Sequence, residues 1–285
     1  MGSLGNSFKT IMLLGILTAL LLWVGQLIGG AQGLIFAAFF VFVFNGAAYW
    51  WSDRIVLGMY RAKELPQSHH VTKLVHQLAD RAGIPKPKVY IIPTNNPNAF
   101  ATGRNPKHSA VAVTQGILDL LDERELKGVI AHELSHIKHY DTLIQVVAGM
   151  VAGIIGFVAM MARWGAIFGG FGGRDGKGGG IIELLVLAIV TPLIAMVLKM
   201  AISRTREFAA DEGAARLLND GEGLARALSK LEHGNRRKPM RASGMAESTE
   251  QIFIINPFRG KALLEFFSTH PSTEKRVARL KNLGF

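Results

Sequence analysis

Long uncharged stretches divide the chain into alternating apolar and polar parts. No charged residue lies between Lys9 and Asp53, and two further uncharged stretches cover residues 142–162 and 184–198. A helix that crosses a lipid bilayer needs about 20 apolar residues. The first stretch is therefore long enough for two such helices and the second for one, whereas the third approaches this length only with residues 181–183 included.

A glycine-rich turn at residues 29–33 interrupts the first stretch. It predicts two membrane-spanning helices, one over residues 11–28 and one over residues 34–51. Trp50 and Trp51 end the second of these helices, and such rings favour the boundary between lipid and water. The N-terminal part of the chain is therefore predicted to be a transmembrane helical hairpin.

Residues 142–200 predict a second transmembrane hairpin, with a glycine-dominated connection at residues 169–180. Because each hairpin returns the chain to the side that it left, the polar parts that follow the hairpins must share one compartment. Most Lys and Arg residues lie in those parts, so the positive-inside rule predicts the cytoplasm. The chain is thus divided into a hairpin at 1–52, a first aqueous part at 53–141, a second hairpin at 142–200 and a second aqueous part at 201–285.

The aqueous parts show mainly helical periodicity, together with a few short strands. Apolar residues recur at helical spacing over His70–Ala82, and Asp122 with Glu125 matches a capping box that opens a further helix. The predicted fold class is mostly α with a small β-sheet (α+β). Strands are predicted over 88–92, 98–103 and 110–114, helices over 204–218, 223–233, 261–267 and 273–280, and a loop over 234–250.

Composition and charge narrow the classes of partner and ligand. The net charge is +11, and 49% of the residues are hydrophobic. No interleaving of basic and aromatic residues accompanies this charge, so we predict no nucleic-acid partner and instead a basic surface toward anionic lipid. The chain contains no cysteine, so any metal must be bound by His, Asp or Glu.

The strongest chemical signal is His-Glu-x-x-His at residues 132–136, inside a predicted helix. Histidines four residues apart lie about 40° apart around a helix and roughly 6 Å along it, so His132 and His136 can reach one metal ion. Glu133 can then accept a proton from a metal-bound water. Two solvated histidines on a surface helix are the alternative, but the neighbouring helical face is apolar.

A catalytic zinc needs a third protein ligand and an open fourth position. The extended histidine motif would require histidine at position 142, which is Thr142, and His139 lies too far along the helix. Glu207 is the better candidate, because it follows the second hairpin just as the histidine pair precedes it. Asp211, on the same helical face, could orient a ligand histidine through its other ring nitrogen. Taken alone, these two carboxylates would indicate only a solvated acidic face.

Three further stretches join the zinc motif in one pattern: Asn-Ala-Phe-Ala at residues 98–101, and residues 203–211 and 269–276. With both hairpins, this pattern resembles the M48 metallopeptidases and, among them, the HtpX-type heat-shock membrane proteases of bacteria. The resemblance covers nearly the whole chain. It implies a gluzincin-like zinc metalloprotease domain attached to two transmembrane hairpins.

The resemblance also implies roles for individual residues. One zinc ion per chain would have three ligands: His132, His136 and Glu207. Glu133 would be the general base, and Asp211 would support a ligand histidine. His270 resembles a second catalytic residue, the family histidine that stabilises the transition state, although Thr-His-Pro could equally start a helix. The segment resembling the strand that pairs with substrate backbone comprises Asn98, Ala99, Phe100 and Ala101.

The predicted function is a membrane-integrated zinc endopeptidase of the bacterial inner membrane, with its catalytic domain in the cytoplasm. Zinc-activated water would cleave misfolded or damaged membrane proteins, a task of stress response and protein quality control. Its expected partners are membrane protein or unfolded polypeptide substrates and the lipid bilayer. One alternative is an intramembrane protease, against which the charges at residues 123–127 argue. Another is a non-catalytic zinc-stabilised scaffold or transporter subunit, which would not need Glu133.

Overall fold

Helices make up most of the computed structural model, which describes residues 3–143, 204–237, 253–254 and 271–284. The predicted class, mostly α with a small sheet, is confirmed for this part of the chain. Its helices are α1 (Ser3–Met59), α2 (His70–Ala82), α3 (Gln115–Leu120), α4 (Glu123–Lys138), α5 (Arg204–Leu218), α6 (Glu222–Arg237) and α7 (Thr273–Lys281). Its strands are β1 (Lys63–Glu64), β2 (Lys88–Ile92), β3 (Ala99–Asn105) and β4 (His108–Thr114).

Helix α1 reverses direction at Gly30, within the predicted glycine turn. Gly30 has a φ of 55°, a left-handed conformation that glycine adopts without a steric penalty. A Cβ atom added to Gly25 would lie 2.5 Å from the Cβ atom of Ala37. Residues twelve positions apart would be about 18 Å apart in a straight helix, so the two halves of α1 lie side by side.

The membrane-spanning segments predicted from the sequence are not shown by the structure. Among the described helices, none combines the length and the apolar character that a bilayer crossing requires. Most of the second predicted hairpin, residues 142–200, lies outside the described residues, as do the predicted helix over 261–267 and most of the predicted loop over 234–250.

The mixed sheet places β3 at one edge. Its strand order is β1-β2-β4-β3, with β2 parallel to β4 and the other two pairs antiparallel. The three longer strands are those that the sequence predicted, whereas β1 and the short helix α3 were not anticipated. The edge position of β3 matters because this strand contains the segment that resembles the substrate-binding strand of the family.

The two faces of the sheet are covered by different parts of the chain. On β3, Ala99 and Ala101 point into the main core with α2, α4 and α6, while Phe100 points to the other side. There Phe100 joins a second cluster with Val56 and Leu57, near the end of α1. The end of α1 therefore packs directly against the sheet.

Helix α6 corrects one prediction from the sequence. The pattern placed the start of a loop at Gly234, but the helix continues to Arg237. A Cβ atom at Gly234 would lie 2.7 Å from Cγ of Pro97, in the loop before β3. Glycine is therefore found here because α6 approaches that loop closely, and not because the helix ends.

Candidate metal centre

Helix α4 brings His132 and His136 together as the spacing predicts. Asp122 caps the helix through a complete capping box with Glu125, which fixes its first turn. The Nε2 atoms of the two histidines are 3.2 Å apart, and the rings are edge to face. Both side chains are almost fully buried, with 1% and 3% of their surface exposed.

Glu207, on helix α5, completes a group of three ligands. Its carboxylate oxygens lie 3.7 Å from Nε2 of His132 and 3.5 Å from Nε2 of His136. One ligand atom from each residue can be chosen so that all three lie within 4.8 Å of one another. Two imidazole nitrogens and one carboxylate oxygen form a donor set that suits a catalytic zinc ion with an open fourth position. The residues present therefore fit the metal that the resemblance implies.

Carboxylates hold the second ring nitrogen of each histidine. Asp211 Oδ1 lies 3.0 Å from Nδ1 of His132, as predicted, and Asp141 Oδ2 lies 3.2 Å from Nδ1 of His136. Such contacts fix the tautomer of a ligand histidine and direct its Nε2 atom toward the metal. The role of Asp141 was not predicted, although its place only five residues after His136 was a usable signal.

Arg276 is the second residue that reasoning from the sequence missed. It lies on α7 with 1% of its side chain exposed, and its Nε and Nη2 atoms donate to the two oxygens of Asp211 at 2.8 and 2.7 Å. Its Nη1 atom is 3.3 Å from Glu207 and donates to the carbonyl oxygen of Ile254 at 2.9 Å. Burial would raise the pKa of Asp211, but the charge of Arg276 and the hydrogen bonds with Arg276 and His132 together outweigh this effect and hold the pKa at about 2.

The two ligand histidines differ in their affinity for protons. Burial lowers the pKa of His132, against the opposing effect of Asp211. Burial alone would also lower the pKa of His136, but hydrogen bonds with Asp141 and Glu207 raise it to about 10. The raised pKa favours the protonated form of His136 in the metal-free protein. Metal binding must release that proton, because a metal ligand is a neutral imidazole.

Glu133 lies beside the ligand group and is equally buried. Its burial raises the pKa of its carboxyl to about 7, while a hydrogen bond from the backbone N–H of Ala101 acts in the opposite direction. A carboxyl with this pKa exchanges protons readily at neutral pH. The hydrogen bond also links the predicted general base to strand β3.

Strand β3 has the predicted edge position, but its outer backbone groups pair within the chain. The carbonyl oxygen of Ala99 accepts from Ile254 N at 3.2 Å, and that of Gly103 accepts from Thr142 Oγ1 at 2.9 Å. The side chain of Asn98 is buried and accepts from Ala99 N at 3.0 Å. To pair with β3 here, a substrate would have to displace the hydrogen bond from Ile254 N to Ala99 O. His270 lies outside the described residues.

Comparison with known proteins identifies the class of protein. The model of Peptidase family M48 matches residues 66–283. The chain therefore belongs to the M48 peptidases and is a metalloprotease, which removes the support for a non-catalytic scaffold.

Individual relatives show which members of the family the chain is similar to. The chain is 50% identical to a "Protease HtpX homolog" of Syntrophotalea carbinolica, with 98% of this chain and 99% of the relative covered. It is 48% identical to the "Protease HtpX" of Legionella pneumophila, with 97% and 98% covered. Its fold is similar to the crystal structure of Ste24p from S. mikatae, with a TM-score of 0.57 at 20% identity, covering 97% of this chain and 66% of that one.

Proposed function

We propose that this chain is a zinc-dependent endopeptidase that binds one zinc ion through His132, His136 and Glu207. The observation that carries the proposal is the meeting of these three ligands with Glu133 at the edge of the sheet. Zinc held there would supply Lewis-acid chemistry to a water molecule and to the peptide carbonyl group.

The residues of the chain perform the proton transfers in this proposal. Glu133 takes a proton from the attacking water and passes it to the nitrogen of the departing amine. Its raised pKa, about 7, suits both steps at neutral pH. Asp211 and Asp141 keep the ligand histidines oriented, and His270 is proposed to stabilise the negative charge that develops on the substrate oxygen.

The substrate is proposed to pair with β3 along the segment Asn98–Ala101. Backbone pairing with an edge strand recognises an extended polypeptide largely independently of its sequence. This mode suits unfolded or damaged proteins, whose exposed segments share shape more than sequence.

The surface of α1 supports a location in the membrane. Its exposed large apolar side chains include Trp23, Ile35, Phe36, Phe39, Phe42, Trp50 and Trp51. An extended apolar surface of this kind is typical of contact with lipid or with another protein. We therefore propose a multi-pass protein of the bacterial inner membrane whose metal centre faces the cytoplasm and whose substrates are misfolded membrane proteins.

The test of this function is the Glu133→Gln variant, purified in detergent with zinc and compared with wild type. Glutamine keeps the size of the side chain but cannot accept the proton, so we expect casein cleavage to fall by about 10²- to 10⁴-fold. Zinc content, measured by metal analysis, should stay at one ion per chain.

Glu207→Ala is the matched comparison, because it should lose both zinc and activity. Undiminished casein cleavage by Glu133→Gln would contradict the assignment of the base. Wild-type zinc binding by Glu207→Ala would contradict the assignment of the third ligand.

A further inference from the structure

Arg104 attaches the tip of the β3–β4 hairpin to the end of α1. Nη1 of Arg104, on β3, donates to the carbonyl oxygen of Trp50 at 3.2 Å. The guanidinium carbon of Arg104 also lies 4.8 Å from the centre of the Trp50 ring, a cation–π contact. The same side chain therefore contacts both the backbone and the ring of one residue on α1.

Two further contacts join β3 to the end of α1 and to the start of the second predicted hairpin. The ring of Phe100 lies 5.8 Å from that of Tyr60, just after α1, within the cluster that includes Val56 and Leu57. Thr142, where the second predicted hairpin begins, donates to the carbonyl oxygen of Gly103. The strand is thus attached to α1 and to the start of the second hairpin.

The same strand contacts the chemical centre. Ala101, which donates to Glu133, is three residues from Arg104, or about 10 Å along an extended strand. A shift of β3 relative to α1 therefore changes the distance between the substrate-binding segment and the end of α1, while the contact of Ala101 with Glu133 keeps that segment at the metal centre.

We propose that Arg104 is a positioning residue that fixes β3, the proposed substrate-binding strand, against the membrane end of α1. The site would then favour extended substrate segments that directly adjoin a transmembrane helix. This inference rests on the proposed function, because it assumes that α1 lies in the bilayer. Arginine suits the role better than lysine, since its planar group can stack on a ring and donate in a fixed direction at once.

The experiment uses the full-length protein with zinc, reconstituted in liposomes of phosphatidylethanolamine and phosphatidylglycerol. Two substrates contain the same unstructured sequence, once free in solution and once fused directly behind a single transmembrane helix. Arg104→Ala should lower kcat/KM for the anchored substrate by about tenfold, as expected when reacting groups are slightly misplaced. Cleavage of the free substrate, zinc content and Tm should match wild type. For the anchored substrate, Arg104→Lys should have a kcat/KM between those of wild type and Arg104→Ala.

Arg54→Ala is the matched control. Arg54 is an exposed arginine near the same end of α1, so the variant loses the same charge from the same region. We expect its ratio of anchored to free cleavage to equal that of wild type. A second variant, Trp50→Leu, removes the ring but keeps the backbone acceptor and should give a smaller loss of the same kind as Arg104→Ala.

Three results would overturn the inference while leaving the proposed function in place. Equal losses on both substrates would mean that Arg104 only stabilises the strand, and no loss would mean that the contact has no role. A matching loss in Arg54→Ala would mean that attraction between basic residues and lipid headgroups explains the effect. Failure of the zinc-loaded wild type to cleave either substrate would instead contradict the proposed function and remove the inference with it.

Discussion

Buried carboxylates lie near both ends of helix α4, and the cations that neutralise them differ between the two ends. Near its start, Glu125 is fully buried but pairs with Lys230 at 2.7 Å and Arg226 at 3.3 Å. The side chains of Lys230 and Arg226 are 40% and 46% exposed, so water still solvates them. Near its end, two carboxylates of the metal centre, Glu207 and Asp211, contact Arg276, which is itself buried.

The difference distinguishes an ion pair that attaches one helix to another from a charge cluster that belongs to a functional site. A buried carboxylate that reaches partly exposed cations costs little to hold, and at Glu125 it joins α4 to α6. A cluster in which the cation is buried as well carries a large desolvation cost, which is repaid only when every partner is present. Such a costly arrangement is expected where charges must be kept in place for chemistry.

The largest effect that tests this comparison should come from Arg276→Ala. Removing the buried cation leaves Asp211 as a buried charge without that partner, and we expect the free energy of unfolding to fall by about 3–5 kcal/mol. Arg276→Lys, which keeps the charge but not the paired donors, should lose less. The measurement is denaturant unfolding of the metal-free protein in detergent.

The control for this prediction lies on the same helix. Arg279 is 52% exposed and lies 3.7 Å from Glu212. Arg279→Ala should therefore change the free energy of unfolding by no more than about 1 kcal/mol. If the two alanine variants were equally mild, the buried end of α4 would not differ from a surface ion pair, and the comparison would fail.

The local parts of the centre could be predicted from the sequence, because helical spacing alone determines them. His132, Glu133 and His136 share one turn of α4, and Asp122 marks its beginning. Glu207 was predictable for a different reason, namely its position just after the second predicted hairpin. These inferences needed no knowledge of the tertiary fold.

The features that could not be predicted depend on contacts between segments that are far apart in the sequence. Arg276 lies 65 positions from Asp211 along the chain, and although it ends the stretch 269–276 of the family pattern, helical periodicity does not distinguish it from the exposed Arg279 of the same helix. The packing of the end of α1 on the sheet, through Val56 and Leu57, was equally invisible in the periodicity of either element. Burial of an arginine contradicts its usual preference, so only a three-dimensional arrangement of charges could have revealed it.

An intermediate effect is expected when the carboxylates behind the histidines are changed to amides. Asp211→Asn and Asp141→Asn should each weaken zinc binding by about 10- to 100-fold, because the histidines lose a charged acceptor. Asp211→Asn should have the larger effect, since Arg276 also loses its principal partner. Competition with a chelator measures both affinities.

Asp220→Asn provides the comparison for these amide variants. It changes a carboxylate that pairs with the partly exposed Arg124 at 2.7 Å, away from the metal centre. Its zinc affinity should equal that of wild type. Unchanged zinc affinity in both Asp211→Asn and Asp141→Asn would show that the orienting contacts do not tune the centre.

The smallest effect should come from the start of α4, where Glu125→Gln removes one buried charge. Lys230 and Arg226 can then be solvated by water, and the amide oxygen can still accept from the backbone N–H of Asp122. We expect a loss of about 1 kcal/mol in the free energy of unfolding, with unchanged zinc content and casein cleavage. A loss as large as that of Arg276→Ala, or a fall in zinc content, would mean that the two ends of α4 form one connected network of charges.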